Sequence, residues 1–273
     1  MNTIAQETPA LACPRGRRSM QTLLESLTSL TEATAHLRVT TCGEFHHDGE
    51  SYSLPRFVFD GPRRGGDPIP LGLFAGIHGD EPAGVLALVR FLGELVQRPE
   101  LAAGYRLFAY PVCNPTGFED NTRYSRAGKD LNREFWHSSA EPEVFLLEQE
   151  LWSHRLQGIV NLHSDDTSEG LYGFFRGPDL SKELLEPALW AAERHLYRNT
   201  RLVIDGFRAR RGLIDGGYSG ILAAPPGTQP MPFELTFETP ASAPLHLQVE
   251  ATVAALHSIL AEYRIVMSLA QSI

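Results

Sequence analysis

Three apolar runs of strand length, each followed by an amphipathic segment of helix length, constrain this chain more than any other feature. PLGLFAGI leads to PAGVLALVRFLGELVQ, YRLFAYPV to PEVFLLEQELWSHRL, and GIVNLH to LSKELLEPALWAAERHLYR. Runs of this kind suit buried strands, and their alternation with helical periodicity predicts an α/β domain with a mixed, mostly parallel sheet. Upstream, the spacing of apolar residues predicts a first helix from Ser19 to Leu37. HLRVTTCGEF and SYSLPRFVFD follow as two strands joined by a turn at HHDGE, and GPRRGGDP reads as a surface loop. Two further strand candidates, GILAAP and MPFELTFE, precede a last helix from about Leu245 to Leu269.

With 273 residues, 42% of them hydrophobic, the chain has ample material for one substantial core. Neither an internal repeat nor a low-complexity linker divides it, so residues 19–273 are expected to form a single domain. Residues 1–18, polar and proline-containing with Arg15, Arg17 and Arg18, are expected to form a flexible arm. A net charge of −9 leaves no electrostatic footprint for nucleic acid or an anionic membrane, and neither partner is expected. The N-terminus lacks a sustained apolar region after a basic start, and no uncharged run approaches the roughly 18 residues that span a bilayer. Three cysteines, Cys13, Cys42 and Cys113, match neither a disulfide framework nor a paired-cysteine zinc motif, which fits a reducing cytoplasm. Oligomeric state is not legible.

In open α/β sheets, functional groups collect where strands end. Each distinctive polar cluster of this chain falls at such an end: IHGDE, NPTG, LHSDD and FETP. His78 and Glu81, three apart on a turn entering a helix, are neighbours that can face one point, and Pro82 suits the first helical turn. An imidazole and a carboxylate are two ligands of a catalytic zinc; such sites commonly use a third protein ligand and keep one position open. His163, closing GIVNLH, is placed to be that third ligand. His46, His47, His137, His154, His195, His246 and His257 lack any partnering pattern and read as solvated or structural.

HGDE, NP, DLNR, LHS and TFE, in this order between about Gly72 and Thr239, resemble the zinc carboxypeptidase (metallocarboxypeptidase) family and its relatives, the succinylglutamate desuccinylases and aspartoacylases. The resemblance implies a three-layer α/β/α fold of the phosphorylase/hydrolase type and one zinc ion per chain. It implies that His78, Glu81 and His163 are the zinc ligands and that Asp130 orients the first histidine. Asn132 and Arg133 match the pair that grips a substrate carboxylate, a task that suits a guanidinium fork. Arg123 matches the arginine facing the scissile carbonyl, with Arg126 three residues away as the alternative. Glu238 matches the general base. Strand alternation puts Glu234 on the same face, and the likeness of LTFE to the family motif selects Glu238. Tyr218, in DGGYSG, is a candidate substrate contact by loose resemblance to a tyrosine on a mobile loop, although Phe207 takes that place in another alignment.

Two branches of this group share the equipment. The chain after Glu238 reads as one helix, where deacylases carry a second, mostly β domain, and His163-Ser164 resembles the carboxypeptidase pattern. AGIHGDEPAG and the short interval from His78 to His163 resemble the desuccinylases instead. The resemblance therefore implies hydrolysis of a peptide bond beside a free carboxylate, in short or cell-wall-derived peptides. The alternatives are deacylation of an N-acyl amino acid and a non-catalytic carboxylate- or peptide-binding module. Two departures stand out: Asn161, where relatives commonly carry aspartate, and Asp165-Asp166, which read as a solvated loop that could instead favour a basic substrate group.

Overall fold

The computed structural model describes residues 17–270. Residues 1–16 of the expected arm lie outside the described residues. Its last two residues contact the body: Arg17 pairs with Asp120 at 3.0 Å, and Arg18 lies over the ring of Phe118.

Helix α1 (Met20–Glu32) starts at Ser19, whose side chain accepts the Thr22 N–H. It ends five residues before the expected Leu37 because the backbone there is committed to a sheet: Asp60 N–H donates to His36 O, and Leu37 pairs with Phe59. Strands β1 (Leu37–His47) and β2 (Glu50–Asp60) form the expected hairpin. Its turn is shorter than HHDGE, only Asp48 and Gly49, both with positive φ, as a two-residue hairpin requires. His46 and His47 therefore belong to the strand.

Next come β3 (Ile69–Ala75), α2 (Pro82–Gln97), β4 (Tyr105–Tyr110), α3 (Pro115–Asp120), α4 (Pro142–Ser153), β5 (Gly158–Asp165) and β6 (Tyr172–Arg176). They are followed by α5 (Leu180–Ala192), β7 (Val203–Ile204), β8 (Phe207–Arg208), β9 (Leu213–Asp215), β10 (Phe233–Pro240) and α6 (Leu245–Ala270). Strands β7 and β8 form a separate small hairpin, and the other eight form one sheet in the order β1-β2-β4-β3-β5-β10-β6-β9. The central strands β4, β3, β5 and β10 run parallel, while β1, β2 and β6 make the antiparallel pairings.

Both faces of the sheet are covered, which is why the central strands are apolar throughout. One face packs against α1, α2, α5 and α6 through a core that includes Leu23, Phe91, Leu185, Phe237 and Leu256. The other packs against α4 and the segment around Phe135, through Phe74, Tyr110, Leu147 and Ile159. This is the three-layer α/β/α arrangement. No helix among the described residues is long and apolar enough to cross a membrane.

One expected strand is absent. Residues 220–225 (GILAAP) form a loop held by side chains and neighbouring backbone: Leu222 N–H donates to Asn132 Oδ1, Asn161 Nδ2 to Leu222 O, and Ala224 N–H to Glu234 Oε1, at 2.9, 2.9 and 2.7 Å. Leu222 and, in part, Ala224 pack into the second core, so hydrophobicity alone gives the appearance of a strand. The short strands β6 and β9, not anticipated, complete the sheet edge instead.

The chain leaves β3 for β4 on one side and returns to β5 on the other, so strand order reverses at β3 and β5. A crevice beyond the carboxyl ends of such strands is where open α/β sheets bind ligands.

Candidate metal centre

Beyond β3 the backbone turns at Gly76, with φ of 62°, and reaches His78 and Glu81 just before α2. Glu81 occupies the N-cap position, yet its carboxylate makes no capping bond and faces the crevice. Pro82 begins the helix, where a missing N–H costs nothing. The turn packs backbone on backbone against the NPTG segment: a Cβ on Gly79 would stand 1.9 Å from the Gly117 carbonyl carbon. Only glycine fits there, so the two polar clusters are locked together.

His78, Glu81 and His163 offer ligand atoms that all lie within 4.8 Å of one another, and all three residues are buried. The Nδ1 atoms of the two histidines face the two oxygens of Glu81, at 2.6 Å for His78 and 3.0 Å for His163. On its far side His78 Nε2 donates to Asp130 Oδ1 at 3.2 Å, which fixes the tautomer that leaves Nδ1 free as a ligand. Ser164 N–H donates to Glu81 Oε2 at 3.0 Å and fixes the carboxylate from behind.

Burial opposes charge on Glu81, but the two imidazoles prevail and hold it well below the usual carboxylate range. Burial lowers His163, favouring the neutral imidazole that binds metal. His78 is raised: burial is outweighed by Glu81 and Asp130. A buried, oriented set of two imidazoles and one carboxylate matches a catalytic zinc site by donor type and number.

Arg123 stands beside this centre, its Nη1 3.2 Å from His78 Nδ1, and pairs with Asp130 at 2.9 Å. Asp130 thus serves His78 and Arg123 at once. Arg126, the alternative, points elsewhere: it pairs with Asp120 at 2.8 Å and Glu50 at 3.0 Å, bonds Tyr52, and does not line the cavity. Those ion partners remove it from the candidate substrate contacts.

A cavity of about 350 Å³ opens on the triad, and Arg123, Asn132, Arg133, Tyr218 and Glu238 line it. Asn132 Oδ1 is taken by Leu222 N–H, so the amide is oriented with its nitrogen available. Arg133 lies 4.1 Å above the Tyr218 ring centre, and the Tyr218 hydroxyl donates to Asp205 at 2.9 Å. Phe207 packs edge-on behind Tyr218 and is not part of the lining. Glu238 lies opposite His163 in the register of β10 and β5. Burial pushes its pKa well above the usual carboxylate range, with Glu81, Asp165 and Asp205 adding to the effect. Glu234, two alternations earlier, instead accepts the Ala224 N–H and stays out of the cavity.

Asn161 forms no hydrogen bond with His163; its amide nitrogen donates to Leu222 O. Asp165, half-buried at the end of β5, and Asp166, exposed on the bend that follows, both line the cavity. Two lining residues had no signal in the sequence beyond ordinary turn and strand composition: Asp205, on the turn between β7 and β8, and Tyr172, on the unanticipated β6. His154 pairs with Glu150 and His257 with Glu94, apart from the triad.

Fold and donor set together define a chain with the zinc-carboxypeptidase-like fold and a candidate metal site at the carboxyl ends of its central strands. Residues 70–196 match the succinylglutamate desuccinylase/aspartoacylase catalytic domain model. Among solved structures, a protein described as a metallopeptidase from Shewanella denitrificans superposes with a TM-score of 0.74 at 23% identity, covering 89% of this chain and 90% of that one. A metallo-carboxypeptidase from Burkholderia cenocepacia gives a TM-score of 0.67 at 18% identity, over 92% of this chain and 70% of its own. A metallo-carboxypeptidase from Pseudomonas aeruginosa in complex with (2-guanidinoethylmercapto)succinic acid gives 0.63 at 18% identity, over 90% and 69%. No curated protein matches the sequence.

Proposed function

We propose that this protein is a zinc-dependent carboxypeptidase that hydrolyses the amide bond next to a free carboxylate in small peptides, with one zinc ion held by His78, Glu81 and His163. One observation carries the reading: the metal-type triad, an unpaired buried glutamate and a guanidinium beside a free amide share one small cavity. Zinc, when bound, supplies a polarising charge for a carbonyl group and a water of lowered pKa.

The protein's own groups do the rest. Arg133 and the Asn132 amide nitrogen hold the terminal carboxylate, which restricts cleavage to the chain end by positioning. Arg123, braced by Asp130, faces the site where negative charge develops on the scissile carbonyl oxygen. Glu238 accepts a proton from the attacking water at its carboxylate and delivers it to the departing amine. Its raised pKa suits it to hold that proton between the two steps. Tyr218 acts through Arg133, whose guanidinium it stacks against.

The family match over residues 70–196 favours a second reading, deacylation of an N-acyl amino acid, which the same groups could perform. A turnover screen of the zinc-loaded protein separates the two, with free-carboxylate peptides set against N-succinyl and N-acetyl amino acids. Faster cleavage of the acyl amino acids replaces the first reading by the second. Failure to bind stoichiometric zinc together with no turnover on either set sinks both and leaves a binding module. The reading further takes the protein to act in the cytoplasm, as its cysteine usage suggests, without nucleic acid or membrane partners.

A further inference from the structure

Six carboxylates line the cavity, those of Asp80, Glu81, Asp165, Asp166, Asp205 and Glu238, against the two guanidiniums of Arg123 and Arg133. Even a divalent ion on the triad leaves the wall negative. The partners of Asp165 and Asp205 are neutral. Asp165 accepts from the Tyr172 hydroxyl and from the Thr167 N–H and hydroxyl, each at 2.8 Å. Asp205 accepts the Tyr218 hydroxyl at 2.9 Å. These bonds orient the two carboxylates without neutralising them, and no described lysine, arginine or histidine forms an ion pair with either.

Glu238 supplies an independent sign of a missing partner. It is only 8% exposed, has no hydrogen bond among the described residues, and faces the same space. Tyr172, Phe174 and Tyr218 add aromatic rings to the wall, and ring faces attract cations. Asp205 is held toward this space by an Asp-Gly turn that places it at φ of 50°, a conformation aspartate tolerates better than most residues.

We propose that the cleft selects substrates carrying a positive charge in addition to the free carboxylate, with Asp165 and Asp205 receiving the cationic group. A peptide with an ammonium or guanidinium group matches both signs of the wall. A succinylated or acidic N-acyl amino acid adds two or more carboxylates to a cavity already in negative excess, and like charges brought together in such a site are disfavoured. The inference takes from the reading above that this cavity is the substrate site and that the substrate carries a free carboxylate.

The test uses N-acetylated tripeptides of the forms acetyl-Ala-Ala-X and acetyl-X-Ala-Ala, with X as Lys, Leu or Glu, so that the side chain of X supplies the one charge besides the terminal carboxylate. Turnover is measured with zinc-loaded wild type, and affinity by calorimetry with zinc-loaded Glu238→Gln. In at least one of the two series, the lysyl peptide should exceed the glutamyl peptide by about tenfold or more in kcat/KM and in affinity. In the Asp165→Asn/Asp205→Asn double variant that ratio should fall to within about threefold, mainly through KM. The single variants, checked for an unchanged Tm, carry the test if the double variant does not fold. Equal or reversed preference in wild type, or a ratio unmoved by the variants, overturns the proposal. Turnover without charge preference refutes this inference alone. Lysyl preference in binding without turnover refutes the reaction and leaves the inference standing.

Discussion

Asp130 holds two functional side chains from one position, and replacing it with alanine separates an oriented metal site from a mere cluster of donors. Its Oδ1 accepts from His78 Nε2 at 3.2 Å, while its Oδ2 faces Arg123 Nη2 at 2.9 Å and Nε at 3.1 Å. Both groups hold Asp130 well below its usual pKa against the opposing effect of burial, so a full negative charge is lost on substitution. Removing the outer partner of a ligand histidine typically costs about 10–100-fold in metal affinity. That range corresponds to about 1.4–2.7 kcal/mol. The upper end is expected here, because Arg123 loses its counter-ion while remaining 3.6 Å from Glu81, where its charge competes with the metal. Asp130→Asn keeps an oxygen acceptor for His78 and should lose less. The double change Asp130→Ala/Arg123→Ala should recover part of the affinity. The assay is zinc competition against a chromophoric chelator, starting from metal-free protein, with Tm measured alongside. A zinc Kd for Asp130→Ala within about twofold of wild type, in a folded protein, would refute the orientation argument.

Glu238→Gln should lower kcat by about 100–10,000-fold while zinc remains bound; loss of the metal instead would show that the glutamate acts as a ligand. In wild type, burial raises the Glu238 pKa first and Asp205 contributes through its like charge. A general base must be ionised, so activity rises as pH climbs through that pKa. Asp205→Asn removes one repelling charge, lowers the Glu238 pKa and should move the acidic limb of kcat/KM to lower pH; an unmoved or raised limb contradicts the electrostatic account. Arg126→Ala strips ion partners from Asp120 and Glu50 at a site apart from the cavity, and should cost on the order of 1–3 kcal/mol of stability in denaturant titration with little change in kcat/KM. A catalytic collapse there would return Arg126 to the active site.

Which parts were legible follows from how locally each was encoded. The alternation of apolar runs with helical periodicity sufficed for the layered α/β fold, because a strand such as GIVNLH has no polar face to leave in water. His78 and Glu81 could be paired from the sequence because three residues on one turn leave their side chains little choice of direction. GILAAP misled for the complementary reason: its burial is real, but its backbone bonds go to Asn132, Asn161 and Glu234, and no periodicity records side-chain partners.

Sequence alone thus determined the layers, the strand ends and one pair of candidate ligands. Tertiary structure decided the rest. It set His163 and Glu238 side by side in the register of two strands distant in sequence. It separated Arg123 from Arg126, identical in type and three residues apart, by offering Asp130 to one and Asp120 with Glu50 to the other. It also brought Asp205, unremarkable in sequence, to the wall of a cavity beside Asp165. A charged side chain takes its direction from the counter-charge nearest in space, and that neighbour exists only once the chain has folded.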